Sequence, residues 1–216
     1  MARIAVLGGT GYAGAAIVAE ASRRGHEVTA VSRTAPTSPV DDVTYVQASV
    51  LDPDVLDRVV ADADVVISAL SPRGDMTGKV EGVVEGLIER LAGTSTRVGY
   101  IGGASSLLTE EGGPRLWDVS KDHVPDEVMP EVRTGLDTLA LLEASPESLD
   151  WFYVSPPQDF GSWLGTASKG EYVLGGDVML RDADGASTIS ADDLALAILD
   201  EVETPAHHRA RFTAIS

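Results

Sequence analysis

The chain has 216 residues, 44% of them hydrophobic, no cysteine and a formal net charge of −18 at pH 7. This length and composition predict a single globular domain over residues 1–216. The lack of cysteine excludes disulfides, thiolate metal sites and a cysteine nucleophile, and the acidic surface argues against nucleic-acid binding. No apolar run suits a membrane span and no secretory leader is visible, so we expect a cytoplasmic protein that does not bind membranes.

Strand and helix patterns alternate along the first half of the chain. Strands are expected at Arg3–Leu7, Glu27–Ser32, Val43–Val46, Ala63–Leu70 and Arg97–Ile101, and helices at Ala13–Arg24, Asp54–Ala61 and Gly78–Leu91. This alternation predicts an α/β fold, a Rossmann-type doubly wound parallel sheet with helices on both faces.

The second half is less regular. Residues 107–132 are rich in glycine and proline and are expected to form a lid, while residues 155–190 are expected to form a small C-terminal substrate-side region. The remaining predicted elements are a helix at Arg133–Ala144, a strand at Asp150–Val154, an irregular segment or short hairpin over Gly161–Leu174, a strand at Thr188–Ser190, a helix at Ala191–Val202 and a strand at Arg211–Ile215.

A glycine-rich turn joins the first strand to the first helix. Gly8, Gly11 and Gly14 have the spacing G-x-x-G-x-x-G, with an apolar run before them and an alanine-rich helical pattern after them. Such glycines let the backbone approach a pyrophosphate, and the helix start offers free N–H groups and partial positive charge. The alternative is an ordinary glycine-rich turn. The predicted dinucleotide contacts here are Gly8, Thr10, Gly11, Tyr12, Ala13 and Gly14.

The end of the second predicted strand indicates which dinucleotide binds. In this fold an acidic residue there selects the ribose of NAD, whereas an arginine accommodates the 2′-phosphate of NADP. The chain has Ser32, Arg33 and Thr34 at this place. We therefore expect NADP(H) to be preferred and NAD(H) to be possible, although Arg33 could also be a plain surface arginine. Ala69, Leu70 and Ser71 end the fourth strand, where the nicotinamide half would pass.

The catalytic pair of classical short-chain dehydrogenases is missing. They use Tyr-x-x-x-Lys, in which the tyrosine exchanges a proton with the substrate oxygen. None of the five tyrosines has a lysine four residues later, and the matching spacing from Trp117 to Lys121 offers an indole that cannot act as the acid. What remains is hydride transfer to a conjugated acceptor such as a flavin, a quinone or a linear tetrapyrrole.

Several segments carry a family resemblance. Gly8–Gly14, Arg24–Arg33, Gly102–Leu107, Leu149–Pro157 and Asp184–Asp193 together resemble NmrA-like atypical short-chain dehydrogenases/reductases, in particular the proteins provisionally named NADH-flavin reductases, relatives of biliverdin-IXβ/flavin reductase. The resemblance covers nearly the whole chain. It implies an NADPH-dependent reductase that passes a hydride to a flavin or quinone-like acceptor, with FMN or FAD as substrate rather than as a tightly bound group.

The resemblance also implies roles for individual residues. Gly102, Gly103, Ala104, Ser155 and Pro156 would lie beside the nicotinamide, and Asp52 would meet the adenine amino group unless it only caps a helix. The implied catalytic residues are Ser105, Ser106 and Gln158. A plain Gly/Ser turn is the alternative for the two serines. Gln158 stands where the biliverdin reductases have a histidine, which favours flavin over tetrapyrrole.

Two functions stay open at this stage. The first is the reductase, whose partner is a small aromatic or conjugated acceptor. The second is a non-catalytic redox sensor of the NmrA type, which binds NADP(H) without turnover. His207 and His208 lack a third ligand nearby in sequence, so no metal site is expected. The chain is expected to be a monomer or a homodimer.

Overall fold

A computed structural model describes residues 1–216, which form one eight-stranded sheet flanked by helices. The strands are β1 (Arg3–Leu7), β2 (Glu27–Ser32), β3 (Val43–Gln47), β4 (Val65–Ser68), β5 (Arg97–Ile101), β6 (Trp151–Ser155), β7 (Val173–Gly175) and β8 (Ala210–Ile215). Their order across the sheet is β3-β2-β1-β4-β5-β6-β8-β7. All neighbours are parallel except the edge strand β7, which is antiparallel to β8.

Helices cover both faces of this sheet. They are α1 (Tyr12–Arg23), α2 (Pro53–Ala61), α3 (Val80–Leu91), α4 (Leu116–Ser120), α5 (Met129–Glu143) and α6 (Ala191–Glu203). One core joins the sheet to α2, α3 and α5, and a second core joins the opposite face to α1 and α6. The predicted doubly wound Rossmann-type fold is confirmed. None of the helices combines the length and apolar character needed to cross a bilayer.

The alternation of side chains along β1 shows why the sheet is covered twice. Ala5 and Leu7 face the first core, while Ile4 and Val6 face the second, and all four are buried. Successive residues of a strand point to opposite faces, so a continuous apolar run requires cover on both.

The strand order places a binding crevice at one edge. β1 lies between β2 and β4, so the chain winds outward in one direction through β2 and β3 and in the other through β4, β5 and β6. The loops leaving β1 and β4 therefore separate at their carboxyl ends. In open α/β sheets ligands bind at this switch point.

The C-terminal half differs from the predicted elements in several places. Helix α5 begins at Met129 rather than Arg133, because Pro130 occupies the first turn, where a proline costs no hydrogen bond. The segment expected to be an irregular lid contains the short helix α4.

The predicted strand at Thr188–Ser190 is wrong. Thr188 makes only an isolated bridge with Asp159, and the Ser190 hydroxyl instead caps α6 by accepting from the N–H of Asp193 at 3.0 Å. The hairpin considered for Gly161–Leu174 is also wrong, since β7 pairs with β8 and a 3₁₀ turn occupies residues 162–164.

Candidate functional site

A cavity of about 990 Å³ opens at the carboxyl ends of β1, β4, β5 and β6. This volume lies at the upper end of the range for ligand pockets. Six segments form most of its wall: the turn after β1, the end of β2, the loop after β4, the turn after β5, the start of α5, and residues 156–163. The cavity thus occupies the switch point of the sheet and continues towards the C-terminal region.

The turn after β1 is shaped by missing side chains. Gly8 has a φ of +84°, and a Cβ there would lie 2.7 Å from the carbonyl oxygen of Ala69. A Cβ on Gly14 would lie 2.2 Å from the carbonyl oxygen of Gly8, so only glycine lets α1 approach the turn this closely. Gly11, which precedes α1, provides no side-chain cap. The first N–H groups of α1 are therefore left for a ligand, and the cradle fits a pyrophosphate.

The end of β2 supplies one guanidinium and two hydroxyls. The side chain of Arg33 pairs with the carboxylate of Asp75, which lies in a 3₁₀ turn over Gly74–Met76 after β4. This hydrogen bond holds the pKa of Asp75 below its ordinary value. The hydroxyls of Thr34 and Thr10 lie 3.5 Å apart, and the Ser32 hydroxyl donates to the carbonyl oxygen of Thr34 at 2.5 Å. Arginine beside hydroxyls is the donor set that suits a phosphate.

A buried tyrosine supports the turn after β5. The hydroxyl of Tyr153 donates to the carbonyl oxygen of Gly135 at 2.8 Å and accepts from the N–H of Gly103 at 3.3 Å. A Cβ on Gly102 would lie 1.7 Å from this hydroxyl, so the glycine makes room for it. Burial raises the pKa of Tyr153 to about 12. Tyr153 is thus a neutral positioning group behind the cavity wall.

A second tyrosine reaches the cavity itself. The ring of Tyr100 stacks on that of Tyr153 with 5.4 Å between centroids, and Tyr100 belongs to the cavity wall. Burial raises the pKa of Tyr100 as well, so its phenol is neutral near pH 7. Neither tyrosine belongs to a recognisable motif, so this pair could not be predicted from the sequence.

Three segments meet at the far end of the cavity. Arg73, from the loop after β4, hydrogen-bonds to Glu131 of α5 and lies over the Trp163 ring at 5.1 Å from its centroid. All three residues line the cavity, and Trp163 is 65% exposed. An aromatic face beside a guanidinium is suited to planar, conjugated molecules. Glu131 belongs to no sequence motif and was not among the predicted site residues.

Most predicted site residues meet in this cavity. Those in its wall are Gly8, Thr10, Gly11, Tyr12, Ala13, Ser32, Arg33, Thr34, Ala69, Leu70, Ser71, Gly102, Gly103, Ala104, Ser105, Pro156 and Gln158. The side-chain oxygen of Gln158 accepts a long hydrogen bond of 3.4 Å from Arg181. Gly14 lies beneath the turn and acts through the absence of its side chain.

Besides Gly14, three predicted residues do not reach the cavity wall. Asp52 accepts from the N–H of Asp54 at 3.0 Å and caps α2, the alternative role considered for it. Ser106 is buried and accepts from Arg211 at 2.6 Å, and Ser155 is also fully buried. The hydrogen bonds of Asp52 and Ser106 are therefore made to their own surroundings, which spacing along the sequence does not reveal.

An arginine pair explains the position of Ser106. Arg115 donates to the backbone oxygen of Ser106 while Arg211 donates to its hydroxyl, and both arginines pair with Asp177. Burial, together with the neighbouring charge of Arg115, lowers the pKa of Arg211 to about 10. Ser106 is therefore a support for the turn after β5.

Residues 8–205 match the family described as NAD(P)H-binding. The chain belongs to this NAD(P)H-binding family. Its likeness to the NmrA-like atypical short-chain dehydrogenases/reductases, predicted from the sequence, is confirmed at the level of the family and fold.

Three proteins similar to this chain illustrate the family. The uncharacterized protein YwnB of Bacillus subtilis is 34% identical over 217 residues, which is 99% of this chain and 98% of YwnB. A crystal structure from Streptococcus pneumoniae, provisionally named an NADH-flavin reductase, is 33% identical over the whole of both chains with a TM-score of 0.86. One from Bacteroides thetaiotaomicron, provisionally named an epimerase, is 36% identical over 99% of this chain and 96% of its own, with a TM-score of 0.82.

Proposed function

We propose that this protein is an NADPH-dependent reductase that transfers a hydride to a flavin or a quinone-like acceptor. The observation that carries the proposal is the continuity of one cavity from the glycine turn after β1 to the aromatic end at Trp163. The first end fits a dinucleotide and the second a flat ring. The provisional name of the Streptococcus pneumoniae relative agrees with this assignment.

The preference for NADPH is proposed to come from Arg33. Its guanidinium lies in the cavity wall at the end of β2, with the hydroxyls of Thr10 and Thr34 beside it. These groups would hold the 2′-phosphate, while the backbone N–H groups of Tyr12 and Ala13 would face the pyrophosphate.

The acceptor is proposed to lie between the turn after β5 and Trp163. Ser105 and Gln158 line this part of the cavity and would orient the acceptor by hydrogen bonds. When bound, NADPH supplies a hydride from its nicotinamide, leaving NADP⁺, and the conjugated acceptor gains this hydride together with a proton from solvent. The cavity residues need only align the two planar groups and exclude water, which a chain without Tyr-x-x-x-Lys can do.

The proposal is tested by NADPH and NADH oxidation with FMN, FAD and a simple quinone as acceptors. We expect saturable oxidation that prefers NADPH, and loss of this preference in Arg33→Asp. Arg58→Asp is the matched control, because Arg58 is exposed on α2, outside the cavity, and its replacement changes the net charge equally. Equal losses with both cofactors in Arg33→Asp would contradict the cofactor assignment.

A redox sensor of the NmrA type is the second candidate. It is favoured by one observation, the absence of the Tyr-x-x-x-Lys pair from the chain. A sensor would bind NADPH tightly and oxidise it with none of the acceptors. Such a result would replace the reductase proposal and direct the search towards a protein partner whose affinity differs between the NADPH and NADP⁺ states.

A further inference from the structure

We propose that Asp75 is a second determinant of cofactor choice, which opposes the 2′-phosphate of NADP and favours the 2′-hydroxyl of NAD. The proposal rests on the proposed function in one respect: the adenosine ribose is taken to lie at the end of β2. Asp75 was not recognised in the sequence, and nothing in the chain near it resembles a cofactor motif.

The position of Asp75 carries the inference. Asp75 follows β4, yet its carboxylate crosses to the end of β2 and accepts a hydrogen bond from the guanidinium of Arg33. Both residues belong to the cavity wall, and the side chain of Arg33 is 47% exposed while that of Asp75 is 69% exposed. A carboxylate therefore stands where the fold usually places one at the end of β2 itself, but it comes from a different loop.

The two forms of the cofactor meet this pair differently. A 2′-phosphate would need the N–H donors of Arg33, one of which Asp75 already occupies, and it would place two negative charges near the carboxylate. A 2′-hydroxyl can instead donate a hydrogen bond to Asp75 without displacing Arg33. Lys79 is the other cation near Asp75 and offsets only part of this repulsion. Asp75 therefore reduces the preference for NADP over NAD that Arg33 alone would give.

The exposure of the pair limits the size of the effect. Interactions between charges on a solvent-exposed surface change an affinity by only a few-fold, and the double charge of a phosphate raises this effect moderately. Replacing the carboxylate by an amide of the same shape should therefore tighten NADP⁺ binding by roughly three- to tenfold. The same change should weaken NAD⁺ binding or leave it within about twofold, because the amide is a poorer acceptor for the ribose hydroxyl.

The test is calorimetric titration of wild type and Asp75→Asn with NADP⁺ and with NAD⁺. The control is Asp57→Asn, because Asp57 also pairs with an arginine, Arg90, but lies on α2 outside the cavity. Both variants change the net charge equally. We expect the NADP⁺-to-NAD⁺ affinity ratio to rise at least about threefold in Asp75→Asn and to stay at the wild-type value in Asp57→Asn.

Two results would overturn the proposal. One is an affinity ratio in Asp75→Asn that is unchanged or lower than in wild type. The other is the same rise in the Asp57→Asn control, which would assign the effect to overall charge. The titration measures binding alone, so a protein that binds both cofactors but reduces no acceptor contradicts the reductase and leaves this inference standing. A wild-type protein that binds neither cofactor contradicts both.

Discussion

Replacing Gly14 by alanine should damage both the fold and the cofactor site. Gly14 is the third residue of α1, and a Cβ there would lie 2.2 Å from the carbonyl oxygen of Gly8, whereas ordinary contact begins at 3.4 Å. The obstacle is backbone, so no side chain can rotate to relieve it. Helix α1 would have to retreat by roughly 1 Å, a shift that well-packed interiors resist.

The loss of folding stability in Gly14→Ala can be judged from the residues that α1 contacts. Its residues Ala16, Ile17, Val18 and Ala21 are buried in the core shared with α6. Overpacking of this kind costs typically 1–3 kcal/mol, and a backbone obstacle places the change at about 2–3 kcal/mol. For a chain of this size the melting temperature should fall by about 4–12 °C. Since the N–H groups of the first turn move with the helix, NADP⁺ affinity should fall by at least about tenfold.

The assay is thermal unfolding together with calorimetric titration of NADP⁺. Gly82→Ala is a close control, because Gly82 is the third residue of α3, is exposed and has no atom within 4 Å of an added Cβ. Alanine there should stabilise the protein by about 0.5–1 kcal/mol through helix propensity and leave cofactor binding unchanged. If Gly14→Ala melts and binds NADP⁺ like wild type, the close contact between α1 and the turn is refuted.

Further predictions concern the acceptor and acid stability. Trp163→Ala should raise the KM for FMN several-fold without changing the affinity for NADP⁺. The control is Leu164→Ala, which should change neither quantity because Leu164 is exposed and lies outside the cavity wall. An unchanged KM for FMN in Trp163→Ala would show that Trp163 is not part of the acceptor site. Hydrogen bonds from Arg23 and Arg24 hold the pKa of Glu20 below its ordinary value of 4.5 in the folded state. The unfolded chain takes up this proton first, so the contribution of Glu20 to stability is complete above about pH 4.5 and is lost as the pH falls through the folded pKa. Melting curves of Glu20→Gln should therefore show a smaller loss on acidification than those of wild type, and identical losses would contradict the assignment.

The features that sequence analysis predicted correctly depend on neighbours in the chain. The turn from β1 to α1 is encoded within seven residues, Gly8–Gly14, because the steric need for glycine is local. The doubly wound sheet follows from apolar runs such as Val65–Ser68, in which every residue is buried. The glycine spacing and the apolar runs can be read from neighbouring residues, without knowing which distant segments pack against them.

The features that were missed depend on distant segments. Arg33 and Asp75 are 42 residues apart and Arg73 and Glu131 are 58 apart, so only the sheet topology brings each pair together. Ser106 was expected near the acceptor, but the 3₁₀ turn over Ala104–Ser106 directs its hydroxyl to Arg211 and leaves Ser105 in the cavity wall. The sequence does not show which of the two adjacent serines, Ser105 or Ser106, faces the cavity.

The most direct test of the central claim is anaerobic reduction of FMN by the purified protein with NADPH deuterated at C4 of the nicotinamide. Direct hydride transfer within one cavity predicts saturable reduction that slows when the deuterium is on the transferred face and is unaffected when it is on the other face. Reduction insensitive to both labels would show that transfer between the two rings does not limit the rate, and the absence of any reduction by a protein that binds NADPH would contradict the reductase itself.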